Sequence, residues 1–279
     1  MRRPGDLFSA ALMHATARWT VRYGRNLDFA GQDLVPRRTK VDTRHGKVPV
    51  IIYGRDGLPP YVHLHGGAWL MRYPGMDDWW CRYLAAEAGV QVHNVDFRTA
   101  PYVTYPVSQE QAFDVAAFVH AAVVGGFSSG GGMAAAVALM ARDTGAFALK
   151  LQVLGVPALD LATDKPASNG MISAELRALV RRVYIPDAAR RFEPYASPLL
   201  AEDLTGLPPA VVLTGERDSL RPDADAYADR LRTAGVEVLY DMTPGADHYF
   251  LTENPVRARA TMALVATEVR RRTTARPTE

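Results

Sequence analysis

The stretch Val123-Val124-Gly125-Gly126-Phe127-Ser128-Ser129-Gly130-Gly131 decides how this chain of 279 residues is read. An apolar, strand-like run ends at Phe127, and a small hydroxyl residue stands between glycines before an alanine-rich helical segment begins. Gly126 and Gly130 flank Ser128 two residues to either side, the G-x-S-x-G spacing of a strand-to-helix turn. Such a turn is too tight for side chains at the flanking positions and holds the serine in a strained backbone conformation. A hydroxyl carried there projects beyond the end of a sheet, where it can act as a nucleophile. The spacing alone is common by chance, and a serine capping a helix in a glycine-rich turn is the competing reading. Ser129 is a second hydroxyl beside it, which the register of the motif disfavours.

Three further segments supply what a serine nucleophile needs. Tyr61-Val62-His63-Leu64-His65 is strand-like and runs into Gly66-Gly67-Ala68-Trp69, a turn able to aim backbone N–H groups at a developing oxyanion. Asp218 follows the apolar run 210–213, and His248 follows the run 236–242, so both lie just past predicted strands. A serine hydroxyl is a poor nucleophile at neutral pH and needs an imidazole to take its proton and a carboxylate to orient that imidazole. Ser128, His248 and Asp218 fit those roles, with the N–H groups of Gly66, Gly67 and Ser129 as oxyanion donors. Asp160, Glu216 and Asp247 are alternative partners for the histidine, and His248 could also be an ordinary loop residue. His63 and His65 share a strand face and could suggest a metal pair, but no third ligand stands at a metal-like spacing, so neither metal nor cofactor is expected.

With these residues in view, the chain resembles the hormone-sensitive-lipase-like carboxylesterases, the bacterial family IV type, within the α/β-hydrolase fold. The resemblance rests on five ordered motifs between about residues 40 and 255. They are His65-Gly66-Gly67-Ala68-Trp69, Asp96-Phe97-Arg98-Thr99-Ala100-Pro101, Gly126 to Gly131, Gly215-Glu216-Arg217-Asp218-Ser219-Leu220 and Pro244 to His248. Their order along the chain, Ser then Asp then His, is that of the α/β-hydrolases. The resemblance implies a serine carboxylesterase acting on short to medium acyl esters through an acyl-enzyme. It also implies a support pair of Asp96 with Arg98, and family members often dimerise, which leaves a homodimer open. Trp69 and Met71, just past the glycine turn, are candidates to line the substrate pocket. An amide or formamide hydrolase or an acyltransferase could use the same three side chains. A small-molecule binding protein without activity is a third reading, against which retention of His248 argues. Three positions depart from the family pattern: Phe127 and Ser129 replace its Asp and Ala around the nucleophile, Tyr102 replaces a Glu, and the stretch before Val123 is short, either a trimmed loop or a gap in the chain.

Apolar residues make up 48% of the chain and charged residues 22%, as in an ordinary globular protein, and the length suits one large domain with a small cap. A net charge of +2 is too small to imply nucleic acid, and the arginine pairs are scattered. The single cysteine, Cys81, excludes an internal disulfide and fits a reducing compartment. No apolar run approaches the roughly 20 residues of a membrane span. The apolar run after Met1-Arg2-Arg3 is broken by His14 and Arg18, unlike a signal peptide, so a cytoplasmic location is expected.

Phe8, Leu12, Ala15 and Trp19 recur at the spacing of one helix face, predicting a helix over the first 25 or so residues that packs by that stripe. Runs around 39–43 and 48–53, flanking His45-Gly46, predict an antiparallel hairpin at one sheet edge. Strands and helices then alternate, the pattern of a mostly parallel sheet with helices on both faces. A helix is expected over 76–88, and Ser108 with Gln111 reads as a capping box. Between Asp160 and Pro209 the alternation breaks around a helical stripe of Leu176, Leu179, Val180, Val183 and Tyr184. Residues 1–279 are therefore expected to form one α/β domain whose helical cap comes from about 1–35 and about 161–205.

Overall fold

The sheet begins with β1 (Arg37–Thr43), which turns at His45-Gly46 into β2 (Gly46–Tyr53) and pairs with it antiparallel from Arg37 opposite Ile52 to Thr43 opposite Gly46. This is the expected hairpin, at the sheet edge. β2 runs antiparallel to β4 (Gln91–Val95). From there β3 (Pro60–Leu64), β5 (Val123–Phe127), β6 (Leu151–Gly155), β7 (Ala210–Gly215) and β8 (Val238–Thr243) are all parallel, in the spatial order β1-β2-β4-β3-β5-β6-β7-β8. The computed structural model describes residues 2–21, 24, 26–165 and 170–274. Parts of both expected cap segments, and the end of the chain from 275, lie outside the described residues.

Because strand side chains alternate between faces, each central strand feeds two cores. Val62, Leu64, Val124, Leu154 and Val212 pack on one side with α3 (Val107–Phe118), α4 (Ser129–Thr144) and α6 (Arg221–Thr233). Tyr61, Val123, Val153 and Leu213 pack on the other side with α2 (Asp78–Glu87) and α8 (Pro255–Thr274). Full burial of side chains such as Trp80, Tyr61 and Phe250 contributes about 1.5–3 kcal/mol each.

Several local expectations are corrected. The helix over 76–88 is a single 3₁₀ turn, Pro74–Asp77, followed by α2 from Asp78. Ser108 and Gln111 do not cap α3, which starts two residues earlier, at Val107 after Pro106. Instead the Ser108 hydroxyl donates to the Arg98 carbonyl at 2.7 Å and the Gln111 side-chain oxygen accepts from the Arg98 N–H at 2.9 Å, so the pair clasps the backbone of one residue in the loop after β4. The short connection before Val123 is closed by a left-handed residue, His120, with φ 49°. Its N–H reaches Ala117 and that of Ala121 reaches Ala116, a Schellman turn that joins α3 to β5 through residues 119–122.

The helix at the start of the chain exists, α1 (Pro4–Thr20), but not with its predicted face inward. Phe8, Leu12 and Trp19 are 71%, 52% and 57% exposed, whereas Ala10 and Ala17 are buried. The face that packs inward is instead the one bearing Leu7, Ala10, Met13 and Ala17, with Leu7 and Met13 half-buried against the core, and α1 also contacts α5 (Ala174–Val183). The helix α5 starts with Ser173 accepting from the Leu176 N–H at 3.2 Å, buries Val180 and Val183, and is tied to α1 by Arg182 on Asp6 at 2.7 Å.

Candidate active site

β5 ends in Ser128, whose φ of 56° and ψ of −118° lie where only a forced turn places a residue with a Cβ. The turn is forced by close approach of backbone to backbone. A Cβ at Gly126 would stand 2.2 Å from the Leu64 carbonyl oxygen, and one at Gly130 would stand 1.9 Å from the same atom. The Ser128 N–H donates to Gly155, and its carbonyl accepts from Gly132 and Ala158, so the strained residue is anchored on three sides. Phe127 points the opposite way, into an aromatic cluster with Trp80, Trp79 and His63 at centroid distances of 4.9, 5.8 and 6.0 Å. That cluster is the physical setting of an apolar residue where the family pattern has Asp. Ser129 is fully buried with its hydroxyl unpartnered among the described residues, while its N–H, at the first position of α4, lacks an intrahelical acceptor.

Past β7, Asp218 sits with its side chain fully buried; one oxygen accepts from the Leu220 N–H and the other lies 2.9 Å from His248 Nδ1. His248 follows β8, and its loop is stitched to that of Asp218 by Glu216 N–H on Thr243 and Arg217 N–H on Ala246. The alternative carboxylates are engaged elsewhere. Glu216 accepts from the Gly245 N–H, Asp247 from the Met171 and His248 N–H groups, and Asp160 from Ala162 and Thr163. Ser128 and His248 line one cavity together with Gly66 and Gly67. The carboxyl ends of β3, β5, β7 and β8 thus bring together the Gly66-Gly67 turn, Ser128, Asp218 and His248, while the Asp96 to Pro101 segment follows β4.

His63 and His65 do not form a metal pair. His63 Nε2 lies 2.9 Å from Asp77 Oδ2, both buried, and His65 stacks on Phe97 at 4.3 Å. Among the described residues no group of three or more His, Cys, Asp or Glu side chains could hold a metal ion. Burial lowers the His65 pKa, and its Nδ1 lies 2.7 Å from the Gly66 carbonyl oxygen, which can only accept, so Nδ1 carries the proton. The Gly66 carbonyl and the Gly67 N–H belong to one trans peptide and point in opposite directions, so holding the first aims the second. Neither Gly66 nor Gly67 donates a backbone hydrogen bond to another described residue.

The cavity at Ser128 encloses about 630 Å³, part of it open to solvent, and a second one of about 550 Å³ meets it at Ser128, Ala68, Ile172 and Leu176. Met71 lines the first and Trp69 the second, where its ring stacks on Tyr184 at 5.4 Å. Two polar residues of the first cavity lie outside the motifs: Asp77, and Tyr249 beside His248, whose phenol is pushed up by burial and then by the Asp77 carboxylate. No local pattern announces Asp77, whose partner is 14 positions away across the glycine turn. The expected Asp96–Arg98 pair is also replaced: Asp96 is held by Arg72 at 2.7 and 3.0 Å, while Arg98 contributes only its clasped backbone and leaves its side chain exposed. Asp96 lies at the end of β4, and Arg72 follows the glycine turn, so this ion pair fastens the two loops to one another.

Residues 61–252 match the family model described as the alpha/beta hydrolase fold. An arylesterase of Saccharolobus solfataricus is 33% identical over 237 residues, covering 77% of this chain and 76% of that protein. An ethyl acetate hydrolase of Pseudomonas putida is 30% identical over 222 residues, covering 73% and 70%. Among solved structures, a hyperthermophilic esterase from the archaeon Pyrobaculum calidifontis superposes with a TM-score of 0.80 at 30% identity, covering 98% of this chain and 93% of that one. With the motifs, the parallel sheet and these relatives in agreement, the chain belongs to the hormone-sensitive-lipase-like carboxylesterases of the α/β-hydrolase fold.

Proposed function

We propose that the carboxylic ester hydrolysis of this family is carried out here by Ser128 as nucleophile, His248 as general base and acid, and Asp218 as the group that orients the imidazole. The observation that carries this reading is the strained Ser128, held in one cavity with a histidine whose Nδ1 is bonded to a buried carboxylate. Since that bond puts the proton on Nδ1, Nε2 is left with a lone pair for the Ser128 proton. The hydroxyl oxygen then attacks the ester carbonyl, and His248 returns the proton to the departing alcohol. Water, deprotonated in turn by His248, releases the acid from the acyl-enzyme.

The N–H groups of Gly66, Gly67 and Ser129 receive the oxyanion in this scheme, with the His65 contact setting the direction of the Gly67 donor. One such donor is typically worth about 10²- to 10³-fold in turnover. The two cavities meeting at Ser128 are read as the acyl and alcohol arms, and their apolar lining by Met71, Ile172, Leu176 and Val180 suits the hydrocarbon parts of short to medium acyl esters. Met13 and Val21 of the first segment, and Ile172 and Leu176 of the second, line these arms. That supports a single domain capped by about 1–35 and 161–205.

The partner required is a small-molecule ester; among the described residues no helix is long and apolar enough to cross a membrane. A homodimer and a cytoplasmic location belong to the same reading, the latter supported by the one buried, unpaired cysteine. Turnover of p-nitrophenyl esters of increasing acyl length, by the wild type and Ser128→Ala, tests the assignment. The expected result is a profile that peaks at short to medium chains and disappears with the hydroxyl; a flat profile independent of Ser128 would defeat it.

A further inference from the structure

The helix α1 is apolar on both sides. Inward, Met13 lines the cavity at Ser128 and Ala10 and Ala17 are buried; outward, Phe8, Leu12, Ala15 and Trp19 form a continuous exposed stripe. Single exposed apolar residues are ordinary, but three large ones aligned on one helix face are not. The charge on this segment is equally one-sided. Residues 1–25 carry Arg2, Arg3, Arg18, Arg22 and Arg25 against one acid, Asp6, and that acid is bound by Arg182. Arg18 lies over the Trp19 ring at 4.0 Å, so the indole and a guanidinium share one edge of the stripe.

We propose that this outer face of α1 docks on an anionic lipid surface, with the helix lying in the headgroup layer. An apolar stripe of Phe, Leu and Trp bordered by arginines is the composition that binds there, the rings entering the interface while the arginines reach the lipid phosphates. The helix of 17 residues cannot cross a bilayer, so it lies on one. A second copy of the chain is a poorer occupant, since a symmetric contact would bring two arginine-rich segments together. The proposal does not depend on the assignment of the catalytic residues, because its test reads binding.

The protein itself supplies the probe. Trp69, Trp79 and Trp80 are buried and Trp19 is exposed, so a shift in tryptophan emission on binding reports α1. Vesicles of phosphatidylglycerol and of phosphatidylcholine are added to the wild type, to Trp19→Phe, to Phe8→Ser/Leu12→Ser and to Arg3→Gln/Arg18→Gln. The expected result is a blue shift and co-sedimentation with phosphatidylglycerol that weaken with salt. Trp19→Phe should lose the shift, the apolar variant should lose co-sedimentation, and each arginine removed should lower partitioning roughly fivefold. Turnover of a soluble ester should stay at the wild-type level in the apolar variant, showing that it is folded. Absence of binding, equal binding to phosphatidylcholine, retention of binding by the apolar variant, or a dimer that this variant breaks would overturn the proposal, the last in favour of a second copy.

Discussion

The elbow at Ser128 and the cap helix α1 stand on opposite sides of one cavity and are built in opposite ways. At the elbow, backbone meets backbone: Leu64, Gly126 and Gly130 come so close that no side chain fits between them, and α4 is buried from Ser129 to Ala141. At α1, the inner face carries Ala10 and Ala17 beside the half-buried Leu7 and Met13, one ion pair joins Asp6 to Arg182, and Phe8, Leu12 and Trp19 face outward. In the proposed scheme the nucleophile sits where nothing can give, and the residues read as substrate contacts sit where much can change. Exchange of the proposed cap residues should then alter which ester fits without disturbing Ser128, His248 and Asp218.

The largest effect should appear on the rigid side. Ser128→Ala and His248→Ala should each lower kcat on the order of 10⁶-fold, and the double variant should lose no more, because the two residues act as one unit. Additive losses in steady-state kinetics would show that they act separately. Gly130→Ala places a Cβ against the Leu64 carbonyl and should destabilise by at least about 3 kcal/mol in urea, beyond ordinary overpacking. A stable, active variant would mean that the elbow is softer than its geometry.

Acid probes the same rigid half. Burial lowers the pKa of His93 to about 4 and depresses that of His65, so the unfolded chain takes up protons first as the pH falls below about 6.5. Stability is therefore fully present at neutral pH and lost as the pH drops toward the folded-state values, by up to about 3 kcal/mol from His93 alone. Urea midpoints measured from pH 7 to pH 4.5 should fall less steeply for His93→Gln than for the wild type. The smallest contrast lies within α1: Ala17→Leu on the inner face should cost about 1–3 kcal/mol, whereas Phe8→Ser on the outer face should change stability by no more than about 0.5 kcal/mol. Equal costs would erase the distinction between the two faces.

These differences also explain what could be read from the sequence. The glycine spacing around Ser128, and Asp218 and His248 just past apolar runs, are local signals whose meaning is fixed by a single turn or strand end, and the structure gathers them at one rim. The hairpin at His45-Gly46 and the alternating strands and helices were legible for the same reason. Periodicity, by contrast, gives a helix and a face but not what covers that face. The stripe from Phe8 to Trp19 satisfies the spacing of a packed helix, yet the stripe of Leu7, Ala10, Met13 and Ala17 satisfies it too, and that is the one the core covers. Partnerships across loops were equally hidden. Asp77 with His63, Arg72 with Asp96, and the clasp of Ser108 and Gln111 on Arg98 all join residues that only the folded chain brings together.

In the proposed scheme a hydroxyl, an imidazole and a carboxylate act in series at Ser128, His248 and Asp218. The rate at which a fluorophosphonate attaches to the protein, with the adduct located by peptide mass spectrometry in the wild type and in Asp218→Asn, tests that series directly. The expected result is a single adduct on Ser128 that forms on the order of 10⁴-fold more slowly once the carboxylate is lost, because the imidazole then settles in the wrong tautomer. An adduct on Ser129, or an Asp218→Asn variant that labels as fast as the wild type, would contradict it.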